Sequence, residues 1–172
     1  MSAGRRVKLG VAAVAVAVAS VLLPALPASA AVGSTVTGWG DSTNFWVTDG
    51  FPTASCSNRF TGVVTADDGN GGIVARIDNV RITCHEGDVT ITANTPWTLK
   101  LKDGFLATFE GFDVNFTTSE GTCRYRGTVP GGLEFPPGIY NFYGSLTRLS
   151  AGCGAGEEIS VAEGWENIGV SG

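Results

Sequence analysis

The sequence predicts an all-β protein, an antiparallel β-sandwich or flattened barrel with two disulfides, following a cleaved signal peptide. Three observations carry this. Apolar residues recur at period two in the later two thirds of the chain, and no segment sustains a 3.6-residue period. Twenty-five glycines and seven prolines punctuate those runs without a collagen period. Four cysteines, an even number, all lie beyond the N-terminal apolar segment.

Residues 1–30 read as the signal peptide. Arg5, Arg6 and Lys8 form a basic start, Leu9 to Leu23 is an apolar run, and Pro24 and Pro27 end it. Ala28-Ser29-Ala30 then supplies a small-x-small cleavage pattern. The run is short for a membrane span of about 20 residues, so no stable membrane insertion is expected after cleavage. Residues 31–172 hold 8 Lys+Arg against 16 Asp+Glu, a formal charge of −8. A phosphate field would repel such a chain, which argues against nucleic acid as a partner. The expected location is secreted, extracellular or associated with the cell envelope.

Cys56, Cys84, Cys123 and Cys153 are separated by 28, 39 and 30 residues. Outside the reducing cytosol they read as two disulfides. Three connectivities are open, and the sequential one, Cys56–Cys84 with Cys123–Cys153, is the expectation. There is no C-x-x-C and only one histidine, so neither a metal site nor a cofactor is expected.

The strands follow in order. Residues 31–51 form an aromatic-rich arm or edge strand in which Trp39, Phe45 and Trp46 lie among Gly, Ser, Thr and Asp; residues 52–172 form the single β domain. Ile73, Ala75 and Ile77 alternate, and Val80, Ile82 and Cys84 continue one register on, with a kink at Asp78-Asn79. Val89, Ile91 and Ala93 alternate with Thr90 and Thr92. After the turn residues Asn94-Thr95-Pro96, Trp97, Leu99 and Leu101 alternate with Thr98, Lys100 and Lys102. Asp103-Gly104 supplies the positive φ angles of a tight hairpin turn. Phe105, Ala107 and Phe109 then share a face, and Phe112, Val114 and Phe116 continue in another register across Gly111, the mark of a bulge. Short strands are expected around Cys123–Tyr125, Ile139–Leu146, Ile159–Val161 and Ile168–Val170, with loops at 129–138 and 150–156.

Catalytic groups are scarce. His85 follows Cys84 at a strand end, and no G-x-S-x-G elbow accompanies it. Glu110 with Asp113, Asp41 with Asp49, and Glu157 with Glu158 are acid pairs that could serve glycoside hydrolysis if suitably spaced. In an acidic chain such pairs arise by chance, and solvated surface is the plainer reading. Asp67-Asp68-Gly69-Asn70-Gly71-Gly72 offers oxygen ligands for calcium but lacks the EF-hand spacing, so it reads as a polar hairpin tip.

Ile82-Thr83-Cys84, the run from Val89 to Leu99 with its Thr95-Pro96-Trp97, Gly121-Thr122-Cys123, Tyr140 to Leu146, and Gly152-Cys153 together carry a resemblance. Over roughly residues 52–162 the chain resembles a set of small exported actinobacterial four-cysteine β-rich proteins of uncharacterised function. The resemblance implies an all-β exported protein and supplies no catalytic residues.

The function expected is a secreted, non-enzymatic binding module, an accessory or adaptor recognising a secreted or surface protein or an envelope glycan. Trp39, Phe45, Trp46 and Trp165 are the candidate binding residues, because aromatic rings give large contact area and sugars stack on them. The alternatives are a small secreted carboxylate-dependent hydrolase and a structural envelope or spore-coat component.

Overall fold

Ten strands and no helix make up the described part of the computed structural model, which covers residues 31–47, 54–85, 89–134, 139–150, 158–165 and 167–172. The first five are β1 Thr35–Val47, β2 Ala54–Asp67, β3 Ile73–Cys84, β4 Thr90–Ala93 and β5 Trp97–Lys102. The others are β6 Leu106–Thr118, β7 Gly121–Glu134, β8 Ile139–Arg148, β9 Glu158–Trp165 and β10 Asn167–Ser171. All pair antiparallel. The order runs β1-β2-β3-β5-β6-β7-β8-β9, and β9 pairs back onto β1 from Ser42↔Gly164 to Val47↔Ile159. The sheet therefore closes, and the barrel is the form realised. Closure removes the free edges of an open sheet except where β3 runs on past Ile77, paired with β2 alone. Beyond the ring, β10 continues the line of β9 along the first half of β1, and β4 continues that of β5 along β6.

The period-two pattern explains the core. In β5, Trp97, Leu99 and Leu101 are buried while Lys100 and Lys102 are exposed. A barrel of eight staves has an interior that side chains can fill, and here aromatic rings fill it. Phe109 is the hub, with ring centroids 4.8 Å from Phe142, 5.6 Å from Phe60 and 6.1 Å from Trp97. Trp97 stacks on Phe112 at 4.1 Å. A second group, Phe45, Phe116 and Tyr125, packs edge to face. Gly38 on β1 leaves room for Phe60; a Cβ there would collide with the ring.

Two irregularities anticipated from the sequence are present. The β2–β3 ladder steps from Thr61↔Asn79 to Gly62↔Ile77, so Asp78 is the extra residue of a bulge. In β6 the register shifts across Gly111, whose φ of 66° lies in the left-handed region, and this returns Phe112 to the same interior as Phe109. Asp103 and Gly104 (φ 53° and 68°) make the β5–β6 turn, closed by the Phe105 amide on the Lys102 carbonyl at 3.1 Å.

Other expectations are corrected. Residues 35–47 are not an arm or an edge strand: β1 is hydrogen-bonded to β2 on one side and to β9 and β10 on the other. Residues 129–134 are not a loop but the end of β7. Pro130 is tolerated there because the β7–β8 ladder skips from Gly127↔Leu146 to Gly131↔Phe142, so no N–H is required of it. Phe105 does not join Ala107 and Phe109; it lies in the turn, exposed beside exposed Leu106.

Cys56 and Cys84 face each other in the β2–β3 register and are disulfide-bonded, closing a loop with a sequence separation of 28. Cys123 is also disulfide-bonded. Its expected partner Cys153, like residues 1–30, lies outside the described residues. Replacing Cys56 and Cys84 together by serine is expected to lower stability by about 3.6 kcal/mol, the chain-entropy value for a loop of this length. Urea denaturation of the two proteins measures it, and an unchanged midpoint would refute the bridge as a staple.

Candidate functional site

With the interior filled, the surfaces available for recognition are outside. Inward residues are apolar, so outward ones are set by the opposite phase of each strand. On β8 these are Asn141, Tyr143, Ser145 and Thr147, all exposed. On β9 they are Glu158, Ser160, Ala162 and Gly164, and on the second half of β1 they are Ser42, Asn44 and Trp46. The register brings them together. Tyr143 is opposite Ala162, Ala162 is opposite Asn44, and Ser160 lies between Ser145 and Trp46. The β7–β8 register, carried through its gap, sets Pro130 beside Tyr143.

The result is a face across four strands with two open rings, and its one charged side chain among these residues, Glu158, sits at the Thr147 end. Tyr143 is 66% exposed and Trp46 is 38% exposed. The small Ser, Ala and Gly residues between them leave the face shallow. Charge depletion around exposed aromatics is the composition of an interface core.

The sequence candidates divide by strand phase. Trp46 lies on this face. Phe45, its neighbour, points inward, is 0% exposed and packs on Phe116, so it is a core residue and not a binding residue. Trp39 is outward and half-buried, opposite Arg59 of β2, away from the Tyr143–Trp46 face. Trp165 ends β9 opposite Tyr140; its side chain is outside the described residues. The four candidates thus do not form one cluster. Tyr143 carries no signal in the sequence beyond its place in a strand.

The groups considered for chemistry are engaged otherwise. Glu110 is held by Lys100 at 2.6 Å, and Asp113 by Arg124 at 2.7 Å. Asp41 and Glu158 are exposed, and their expected partners Asp49 and Glu157 lie outside the described residues. Burial pushes the Asp113 carboxyl up, but hydrogen bonds from Arg124 and Asn94 and the charges of Arg124 and Arg126 outweigh it, and the net shift is downward. Hydrogen bonds from the Asn70 and Gly72 amides also hold Asp68 below the ordinary carboxylate value. A general acid for glycoside hydrolysis needs the opposite shift. His85 Nε2 is 3.1 Å from Ser57 Oγ, but both are on the open surface. In the 67–72 tip, Asp67 accepts from the Gly69 amide and Asp68 from the Asn70 and Gly72 amides, so these carboxylates close the turn. Among the described residues no group of three or more His, Cys, Asp or Glu could hold a metal ion. No helix among them is long and apolar enough to cross a membrane.

These features define a class: a closed, disulfide-bonded antiparallel barrel with a packed interior and exposed rings on its outer wall. The chain belongs to the PraA/PraB-like family, described as alkane oxidation protein activators, whose model matches residues 5–139. The match says nothing of actinobacterial origin or of a four-cysteine pattern. No curated protein and no solved structure matches the chain.

Proposed function

We propose that the protein is an exported, non-enzymatic accessory that supports alkane oxidation by docking a secreted or surface protein on its Tyr143–Trp46 face. The observation that carries this is the contrast between a core closed by Phe109, Trp97 and Phe112 and an outer face whose open rings lie among small, uncharged residues, with Glu158 only at its end. Among the described residues, rings packed through the interior argue against a container for an alkane and support assistance from the outside. The family description supplies the process. The N-terminal leader pattern and the Cys56–Cys84 disulfide support export.

The test uses cells that lack the protein and oxidise a liquid n-alkane poorly, with oxygen uptake as readout. Added wild-type protein is expected to restore uptake. The double variant Tyr143→Ser, Trp46→Ser is expected to need at least about 30-fold more protein, the equivalent of losing about 2 kcal/mol at an interface hot spot. Uptake with the corresponding primary alcohol should not depend on either protein. Equal restoration by the variant would refute the docking face. Oxidation of the alkane by the purified protein alone would refute the non-enzymatic role. Restoration only when the protein is built into the envelope would favour a structural component.

A further inference from the structure

The outer wall of β1, β2 and β3 carries a second feature. Arg59 and Arg81 are directly opposite in the β2–β3 register, both exposed. Like charges so placed, with Cβ atoms about 5 Å apart, repel each other. An acid at either position would turn this repulsion into attraction, and residues 31–172 have acids in twofold excess over bases. Yet among the described residues no carboxylate is in ion-pair contact with either arginine, whereas Arg76, Lys100, Arg124 and Arg126 each have one. Asp78 is nearby, but Arg76 holds both its oxygens.

Two depressions meet at this pair. The larger, about 400 Å³, lies where the wall parts: beyond Ile77, β3 is paired with β2 alone, while β4 is paired with β6. Thr95 Oγ1 donates to the Asp78 carbonyl at 2.9 Å and closes one end of the gap. The smaller, about 220 Å³, has Ser57 and Thr83 on its walls. Both are lined by Arg59 and Arg81. On the other side of Arg59, Trp39 occupies the opposing position on β1.

We propose that this wall binds an acidic polysaccharide, with a sugar carboxylate held between Arg59 and Arg81 and a neighbouring ring against Trp39. Two guanidinium forks match a carboxylate geometrically and relieve their mutual repulsion by sharing it. Hydroxyl-bearing Ser57, Thr61 and Thr83 suit sugar hydroxyls, and a depression on each side of the cations suits a chain that continues past the charged unit. These residues lie at positions other than those of the Tyr143–Trp46 face, with only β1 shared between the two through Trp39 and Trp46, so the inference goes beyond the docking role, and either can fail alone.

Titration calorimetry at low salt with galacturonate oligomers tests it. Binding is expected for the free acid and to weaken with added salt. The methyl-esterified oligomer should not bind. Arg59→Thr with Arg81→Thr should reduce affinity at least tenfold without lowering the melting midpoint, because a repulsive pair is removed. Trp39→Ala should weaken the oligomer more than free galacturonate. Binding of the methyl ester as tightly as the acid would overturn the proposal, as would unchanged binding by the double variant. Binding of citrate or inorganic phosphate as tightly as the oligomer would reduce the wall to a small-anion site and overturn the polysaccharide. A lower melting midpoint in the double variant would assign the arginines to stability instead.

Discussion

Replacing Trp97 by alanine is expected to cost about 4 kcal/mol of stability, the largest effect of any single change to the barrel core. The indole is 1% exposed, stacks on Phe112 and meets Phe109 edge to face. Its Nε1 also donates to the Asn94 carbonyl at 3.0 Å, tying the start of β5 to the turn that separates it from β4. Both neighbouring rings belong to β6, on either side of its bulge, so collapse into the vacated space would require the bulge to move. Trp97→Phe separates the two contributions: it keeps most of the ring contact and loses the hydrogen bond, for an expected cost of about 1–2 kcal/mol. Urea titrations followed by far-ultraviolet circular dichroism give both numbers. A Trp97→Ala cost no larger than that of Trp97→Phe would mean that the stacked rings contribute little.

Trp97 was also one of the most legible positions. Its strand alternates without interruption, an Asn-Thr-Pro turn precedes it and Asp-Gly follows, so local pattern and final structure agree. Elsewhere they part for identifiable reasons. The 14-residue β2 gave no strand signal because its inward positions run Ala54, Cys56, Asn58, Phe60, Gly62 and Val64. Asn58, hydrogen-bonded to Thr43, and Gly62, pressed against the Arg76 carbonyl, break the apolar alternation although both are buried. In β7 the letters Pro130-Gly131-Gly132 mark a loop by composition. In the barrel Gly131 instead allows close approach to the Asn141 carbonyl and the Phe142 ring. Closure itself was not legible. Alternation shows that a strand has an inner face, but it does not identify its partner, and the β1–β9 contact joins opposite ends of the chain.

The candidate surfaces follow the same logic. Trp46 stood out as an aromatic residue in a polar segment, but the sequence could not tell it from Phe45, one position and one strand face away. Tyr143, Ala162 and Ser160 become a site only through registers linking β8, β9 and β1. Arg59 and Arg81 are 22 positions apart and unremarkable singly; their opposition exists only once β2 and β3 are paired.

Asp113→Asn is expected to destabilise the protein by about 2–3 kcal/mol at neutral pH and to remove part of its acid sensitivity. Asp113 is 3% exposed, on β6 just past the bulge. Arg124 of β7 grips both its oxygens, from Nε at 2.9 Å and from Nη2 at 2.7 Å, and Asn94 Nδ2 donates to Oδ1 at 2.9 Å. Asn94 also exchanges hydrogen bonds with Asn115, so one carboxylate ties the β4–β5 junction to both β6 and β7. Breaking a fully buried pair costs about 3–5 kcal/mol; Arg124 is half exposed and rehydrates when released, which sets the lower figure. The shift of Asp113 below its ordinary 3.8 fixes the sign of the pH effect. At neutral pH the group is ionised both folded and unfolded, and the folded state gains the whole ion-pair contribution. As pH falls through the unfolded-state value, the unfolded chain takes up a proton first, and stability drops until the folded carboxyl is protonated too. The difference in unfolding free energy between wild type and Asp113→Asn should therefore be constant above about pH 5 and shrink below about pH 4, near the unfolded-state carboxyl value. Asp68, also shifted down, is present in both proteins and cancels from the difference. Parallel curves for the two proteins from pH 7 to pH 3 would show that the Asp113–Arg124 pair does not hold the junction.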